Sequence, residues 1–86
     1  MDGEQISTGG RVDEMGNAFA QKYGTSYVLK DEVADEALNA LLTDDDRMRE
    51  RIREHSGFRV RVMGTKLPEE VGDDVTRVNV REIEQA

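Results

Sequence analysis

The stretch DDDRMRERIREHSGFRVRVM, residues 44–63, changes period at Gly57, and that change most constrains how the chain folds. Before Gly57, Met48 and Ile52 stand at helical spacing. After it, Phe58, Val60 and Val62 alternate with Arg59 and Arg61. Apolar spacing of three to four residues marks a helix face, and alternation marks a half-buried strand. Helix and strand therefore follow one another here across a single glycine, and the fold class is α+β.

The rest of the chain is read outward from this junction. A second alternating run, Thr76, Val78 and Val80 against Arg77, Asn79 and Arg81, predicts a strand near 75–83 that pairs antiparallel with one near 58–63. The stretch GTKLPEEVGDD between them holds the only proline and reads as a long loop. Upstream, Thr43 and the three aspartates after it break the helical stripe, because one helix over 31–55 would put Asp45 in its own apolar seam. Thr43 is read as the N-cap of a helix over 44–55, with the aspartates in its first turn.

Asp31 is read as the cap of another helix over 31–42, whose apolar stripe is Val33, Ala34, Ala37, Leu38 and Leu41. Val12, Met15, Phe19 and Tyr23 recur at helical spacing over 11–23, stopped by Gly24. Residues 25–29, TSYVL, read as a short edge strand or extended connector. Residues 1–10 end in Gly9 and Gly10 and read as a flexible arm. The expected core is Val12, Met15, Phe19, Val33, Ala37, Leu38, Leu41, Met48, Ile52, Phe58, Val60, Val62, Val78 and Val80.

Three helices followed by a two-stranded antiparallel hairpin is the element order of winged helix-turn-helix domains, and residues 11–84 resemble them in that order alone. The resemblance implies a DNA-binding transcription regulator whose third helix and hairpin approach nucleic acid.

Eighty-six residues make one domain, here 11–86 after the arm. There is no cysteine to staple so small a core, which leaves oligomerisation or docking as a remedy for marginal stability. The net charge is −7, from 19 acids against 12 bases, nine of them Arg and three Lys. Abundant acid with scarce lysine suits a halophilic cytoplasm, where salt screens self-repulsion.

Residues 47–66 reverse that balance. Arg47, Arg49, Arg51, Arg53, Arg59, Arg61 and Lys66 against Glu50 and Glu54 make the segment +5 and leave −12 for the rest. Guanidinium groups grip phosphates and read guanine edges, so these seven, joined by Arg77 and Arg81 on the outer hairpin face, are the candidate nucleic-acid-binding residues. The blander reading is a solvated surface, with Arg49 answering Asp45 or Asp46, Arg47 reaching Glu50 and Arg51 reaching Glu54 as helix-surface pairs.

Catalysis is not expected. His55 is the only histidine and reads as a helix C-terminal residue favoured by the dipole. The aspartate triplet lacks the alternation and glycine of a calcium loop, and Gly9–Gly10 lacks the lysine of a phosphate loop. No metal, cofactor or small-molecule substrate is expected. No apolar run is long enough to span a membrane, and an acidic, cysteine-free chain is read as cytoplasmic, or resident in a virion. The first functional expectation is a small non-enzymatic nucleic-acid-binding protein. The alternative is a structural or adaptor subunit of a larger protein assembly, with a protein partner or a homo-oligomer as its context.

Overall fold

Residues 3–86 are described by a computed structural model. The chain forms five strands: β1 (Gln5–Glu14), β2 (Tyr27–Lys30), β3 (Ala37–Leu42), β4 (Arg59–Lys66) and β5 (Thr76–Gln85). Two short helices interrupt them, α1 (Asn17–Tyr23) between β1 and β2, and α2 (Asp46–Glu54) between β3 and β4. The strands close into a barrel in the order β1-β2-β3-β5-β4, with β3 and β5 parallel and every other pair antiparallel. A five-stranded barrel with this order and a helix between β3 and β4 has the connectivity of an OB-type barrel. The winged-helix expectation is thereby overturned, and the DNA-binding regulator loses the fold from which it was inferred.

Closure depends on β1, whose first half pairs with β4 and whose second half pairs with β2, so that Arg11 faces both Arg59 and Lys30. Such a strand must bend sharply, and glycine permits it. A Cβ on Gly10 would lie 2.6 Å from the Lys30 carbonyl oxygen. Across the barrel, β4 carries a bulge after Met63, where a Cβ on Gly64 would lie 2.2 Å from the Asn79 carbonyl oxygen.

The barrel interior is filled by Val12, Leu29, Leu41, Val60, Val62, Val80 and Ile83, and Ile52 of α2 closes it with Met48 beside it. A second cluster lies outside the sheet, where Tyr23 and Phe19 of α1 cover Ala40 of β3 together with Val75.

Three expected helices become two, each difference having a local cause. Helix 31–42 does not form. The Asp31 carboxylate does accept from the amides of Val33 (2.7 Å) and Ala34 (3.1 Å), as a cap would. Asp35 then takes a left-handed φ of 55°, and Asp31 N–H bonds Glu36 O at 2.9 Å, so the capped turn reverses the chain into β3. Helix 11–23 begins only at Asn17, because Val12 is drawn into the barrel by pairing with Leu29. Residues 5–10, read as part of the arm, belong to β1; Met1 and Asp2, its first two residues, lie outside the described residues.

The chain does break at Thr43, but between a strand and a helix rather than two helices, and the N-cap of α2 is not Thr43 but Asp45, which accepts from Arg47 N–H at 2.9 Å. The antiparallel pairing of the last two strands is present too. Of the expected core, Val33 (98% exposed), Phe58 (52%) and Leu38 (38%) lie on the surface instead.

Candidate functional site

The barrel distributes the nine candidate cations over four places. Arg47, Arg49, Arg51 and Arg53 ride on α2, Arg59 and Arg61 face outward from β4 beside β1, Lys66 ends β4, and Arg77 and Arg81 lie apart on β5. Arg77 pairs in register with Ala40 and so belongs to the face under α1, away from Arg59 and Arg61. No single basic face gathers the nine.

Five of the nine are held by carboxylates of the same chain. Arg59 makes a two-pronged contact with Glu32 at 2.7 and 2.6 Å, Arg49 meets Asp46 at 2.6 Å, and Arg53 meets Glu50. Lys66 lies 3.8 Å from Glu69, and Arg77 contacts Asp73 as well as Glu70 at 3.6 Å. Glu32 answers Arg59 from the reversed turn, so the turn that replaces the expected helix also neutralises a candidate binding arginine. That guanidinium holds the Glu32 carboxyl below its ordinary value, and Glu32 in turn raises Arg59.

Arg47, Arg51, Arg61 and Arg81 have no carboxylate partner among the described residues. Arg51 donates to the Ile83 carbonyl oxygen at 2.9 Å, Arg81 to Thr65 Oγ1 at 3.2 Å, and Arg61 only to Ser7 Oγ at 3.4 Å. Arg51 and Arg81 share a groove between α2 and β5, where Glu82 and Glu84 also stand.

Arg77 has become part of the framework. Its guanidinium sits 4.9 Å from the Tyr23 ring centre, donates to the Lys22 carbonyl oxygen at 3.1 Å, and is largely buried against Asp73. Tyr23 Oη accepts from Asp74 N–H at 2.9 Å. These contacts bind the β4–β5 loop to α1 and fix α1 over β3. In OB-type barrels the β2–β3 face and its flanking loops take oligonucleotides or oligosaccharides. In this chain α1 covers part of that face with its own aromatic side chains.

Of the further concave regions among the described residues, two lie away from the outer face of α1 and the Arg51–Arg81 groove. A cavity of about 610 Å³ lies between the end of α1, the β3–α2 connection and β5, with Leu41, Leu42 and Ile52 below and Ser26, Asp44 and Asn79 at its rim. A shallower groove of about 330 Å³ opens where the β2–β3 turn meets β1 and β4, lined by Val33 and Leu38 and edged by both signs of charge, Asp31 and Glu32 with Arg59 and Arg61. Gly9 forms its floor, and a Cβ there would meet only the Val60 carbonyl oxygen, at 3.5 Å. Val33 and Leu38 were expected in the core; the aspartates and glutamates around Val33 (DEVADE) were the available sign that it sits in a turn.

His55 caps α2, its Nδ1 at 2.7 Å from Arg51 O, which makes that nitrogen the donor. No group of three His, Asp or Glu side chains able to hold a metal ion occurs among the described residues. No helix among them is long and apolar enough to cross a membrane. No family model, curated protein or solved structure matches this chain.

Proposed function

We propose that this protein is a non-enzymatic protein-binding subunit, serving as a structural or adaptor part of a larger assembly. The observation that carries this reading is the distribution of exposed groups. Five of the nine cations expected to grip phosphate, four arginines and Lys66, have carboxylate partners in the same chain, while Val33, Leu38, Phe58 and Val71 are left in solvent. Scattered exposed apolar residues are ordinary, but a walled apolar groove with fixed polar edges suits a protein partner. Arg59 is held in place by Glu32, so one polar edge is set before a partner arrives, which lowers the ordering cost of binding.

A second reading, binding of single-stranded nucleic acid, rests on the barrel connectivity and on Arg47, Arg51, Arg61 and Arg81, which lack carboxylate partners. Barrels that take single strands combine a basic groove with stacking aromatic rings. Here Glu82 and Glu84 stand in the groove of Arg51 and Arg81, and Phe19 and Tyr23 pack on each other at 4.4 Å between ring centres.

Fluorescence anisotropy of labelled single-stranded and duplex oligonucleotides separates the readings, titrated at the lowest salt where circular dichroism shows the protein folded. The protein-binding reading expects no saturable rise with either probe. Saturable binding to the single strand whose logarithm falls with log salt at a slope of roughly −3, as four phosphate contacts would give, and which weakens on Arg61→Gln, replaces it with the nucleic-acid reading.

A further inference from the structure

β1 outruns the strand beside it. It has ten residues and β2 has four, and β2 pairs only with residues 11–14 before the β2–β3 turn reverses the chain. Which way the backbone groups of β1 point follows from its two flanks. Lys66 N–H bonds Glu4 O at 2.7 Å, in the register that continues as Ile6 with Gly64 and Thr8 with Val62, so the even residues bond towards β4. Met15 N–H bonds Ser26 O at 2.6 Å, in the register of Asp13 with Val28, so the odd residues bond towards β2. Before Arg11 there is no strand on that side. Gln5, Ser7 and Gly9 therefore aim their N–H and C=O groups at an open edge, and those groups have no partner among the described residues.

The interior beside this edge is only partly covered. Residues opposite one another on paired strands share a face, so Ile6 and Thr8, opposite Gly64 and Val62, lie on the face that lines the barrel. Val62 is fully buried there, whereas Ile6 and Thr8 are only half-buried. Exposed sheet edges are ordinarily blocked by lysine, proline or a bulge. Gln5, Ser7 and Gly9 are exposed and carry none of these. The groove of Val33 and Leu38 opens beside Gly9, at the end of the edge. Its mixed charge selects neither an acidic nor a basic partner, which leaves backbone groups and an apolar lining as the features to be matched.

We propose that an extended segment of a partner protein adds to this edge as a further strand, bonding its backbone to Ser7 and Gly9 and laying one apolar side chain over Gly9 in the groove. The proposal rests on the protein-binding reading above and deepens it by naming how the partner is held. In strand addition, main-chain hydrogen bonds supply affinity and pockets for alternate side chains supply specificity. The edge offers the first and the groove the second. Gly9 leaves the groove floor free of a side chain, so an incoming one can lie close to the sheet.

The probe is a pair of capped peptides of roughly seven residues, threonine and serine around a central valine or leucine, titrated to about 3 mM to cover weak affinities. Amide chemical shifts of isotope-labelled protein are expected to move saturably at Gln5, Ser7 and Gly9, and at Val33 and Leu38. Hydrogen exchange at Ser7 and Gly9, faster than at Ile6 and Thr8 in the free protein, should slow on saturation. Ser7→Pro removes an edge N–H where a strand tolerates proline, and should weaken binding about tenfold or more. Ser7→Ala gives up the 3.4 Å Arg61 contact but keeps the backbone, and should bind within about twofold of wild type. Peptides N-methylated on one set of alternate residues should lose about tenfold or more, and those methylated on the other set should lose less. That arm leaves the protein untouched, so it decides the matter even where Ser7→Pro disturbs the barrel. No saturable shift, equal tolerance of both methylated sets, or wild-type binding by Ser7→Pro overturns the proposal. Concentration-dependent protection of Ser7 and Gly9 without peptide gives the edge to a second copy and overturns it too. The oligonucleotide titration decides the protein-binding reading separately, so the two failures are distinguishable.

Discussion

Gly64→Ala is expected to be among the most damaging single-methyl changes in this barrel. The new Cβ would stand 2.2 Å from the Asn79 carbonyl oxygen and 3.0 Å from Val78 Cγ1, whereas a carbon and a carbonyl oxygen in close contact are about 3.3–3.6 Å apart. Relief requires β4 and β5 to separate locally by about 1 Å, which stretches hydrogen bonds of about 2.9 Å beyond useful range. Loss of one or two ladder bonds at about 1 kcal/mol each, with overpacking of about 1–3 kcal/mol, gives a cost of roughly 3 kcal/mol. For a domain of this size that lowers Tm by roughly 12–24 °C. Gly9→Ala is the control, because its Cβ meets only Val60 O at 3.5 Å; its expected effect is within about 0.5 kcal/mol. Thermal and urea unfolding followed by circular dichroism, at one fixed salt concentration, measures both. If Gly64→Ala matches Gly9→Ala within error, the close approach of Asn79 to β4 is not as described.

Ile52→Ala should cost about 2–5 kcal/mol by urea unfolding, because Ile52 is 1% exposed and plugs the barrel from α2. Arg77→Met should cost about 3 kcal/mol, since it strands Asp73, whose side chain is 6% exposed; Arg77→Lys should recover only part, lacking the planar fork. Stability should also fall in acid. Asp31 is held low by the Ala34 and Val33 amides, Glu32 by Arg59, and Asp13 by the Glu14 amide and Lys30. The unfolded chain therefore takes up these protons first, so the contribution is present above about pH 4 and is lost as pH falls further. Urea midpoints measured from pH 7 to pH 3 should show that fall, and Asp31→Ala with Glu32→Gln should make it shallower.

The parts legible in the sequence were those where local pattern and tertiary demand agree. Val60, Val62, Val78 and Val80 alternate with arginines and do line the barrel, and Met48 and Ile52 do form the inward face of α2. The break at Thr43 was legible because burying Asp45 would be costly. The barrel itself was hidden, because its closing devices imitate other signals. Gly9 and Gly10 look like a loose arm, yet Gly10 is where β1 passes against Lys30. Asp31 looks like a helix cap, and its carboxylate caps a single turn before Asp35 reverses the chain. Ala37 and Leu41 satisfy helical spacing, but the parallel partner that makes β3 a strand lies 37 residues downstream, with Asn39 facing Thr76. The basic residues were visible one by one. Of their carboxylate partners only Asp46, for Arg49, was legible; Glu50 pairs with Arg53 rather than Arg47, and Glu32 reaches Arg59 only through the folded turn.

Closure between β3 and β5 places α1 and the paired arginines, so it is the feature to measure. Nuclear Overhauser contacts between backbone protons of the two strands report it directly. The barrel predicts contacts joining Ala40 with Arg77 and Leu41 with Val78, alongside those joining Val12 with Leu29 and Thr8 with Val62. Sequential i to i+3 contacts running through residues 31–42, with none between that segment and β5, would contradict the barrel and every placement that depends on it.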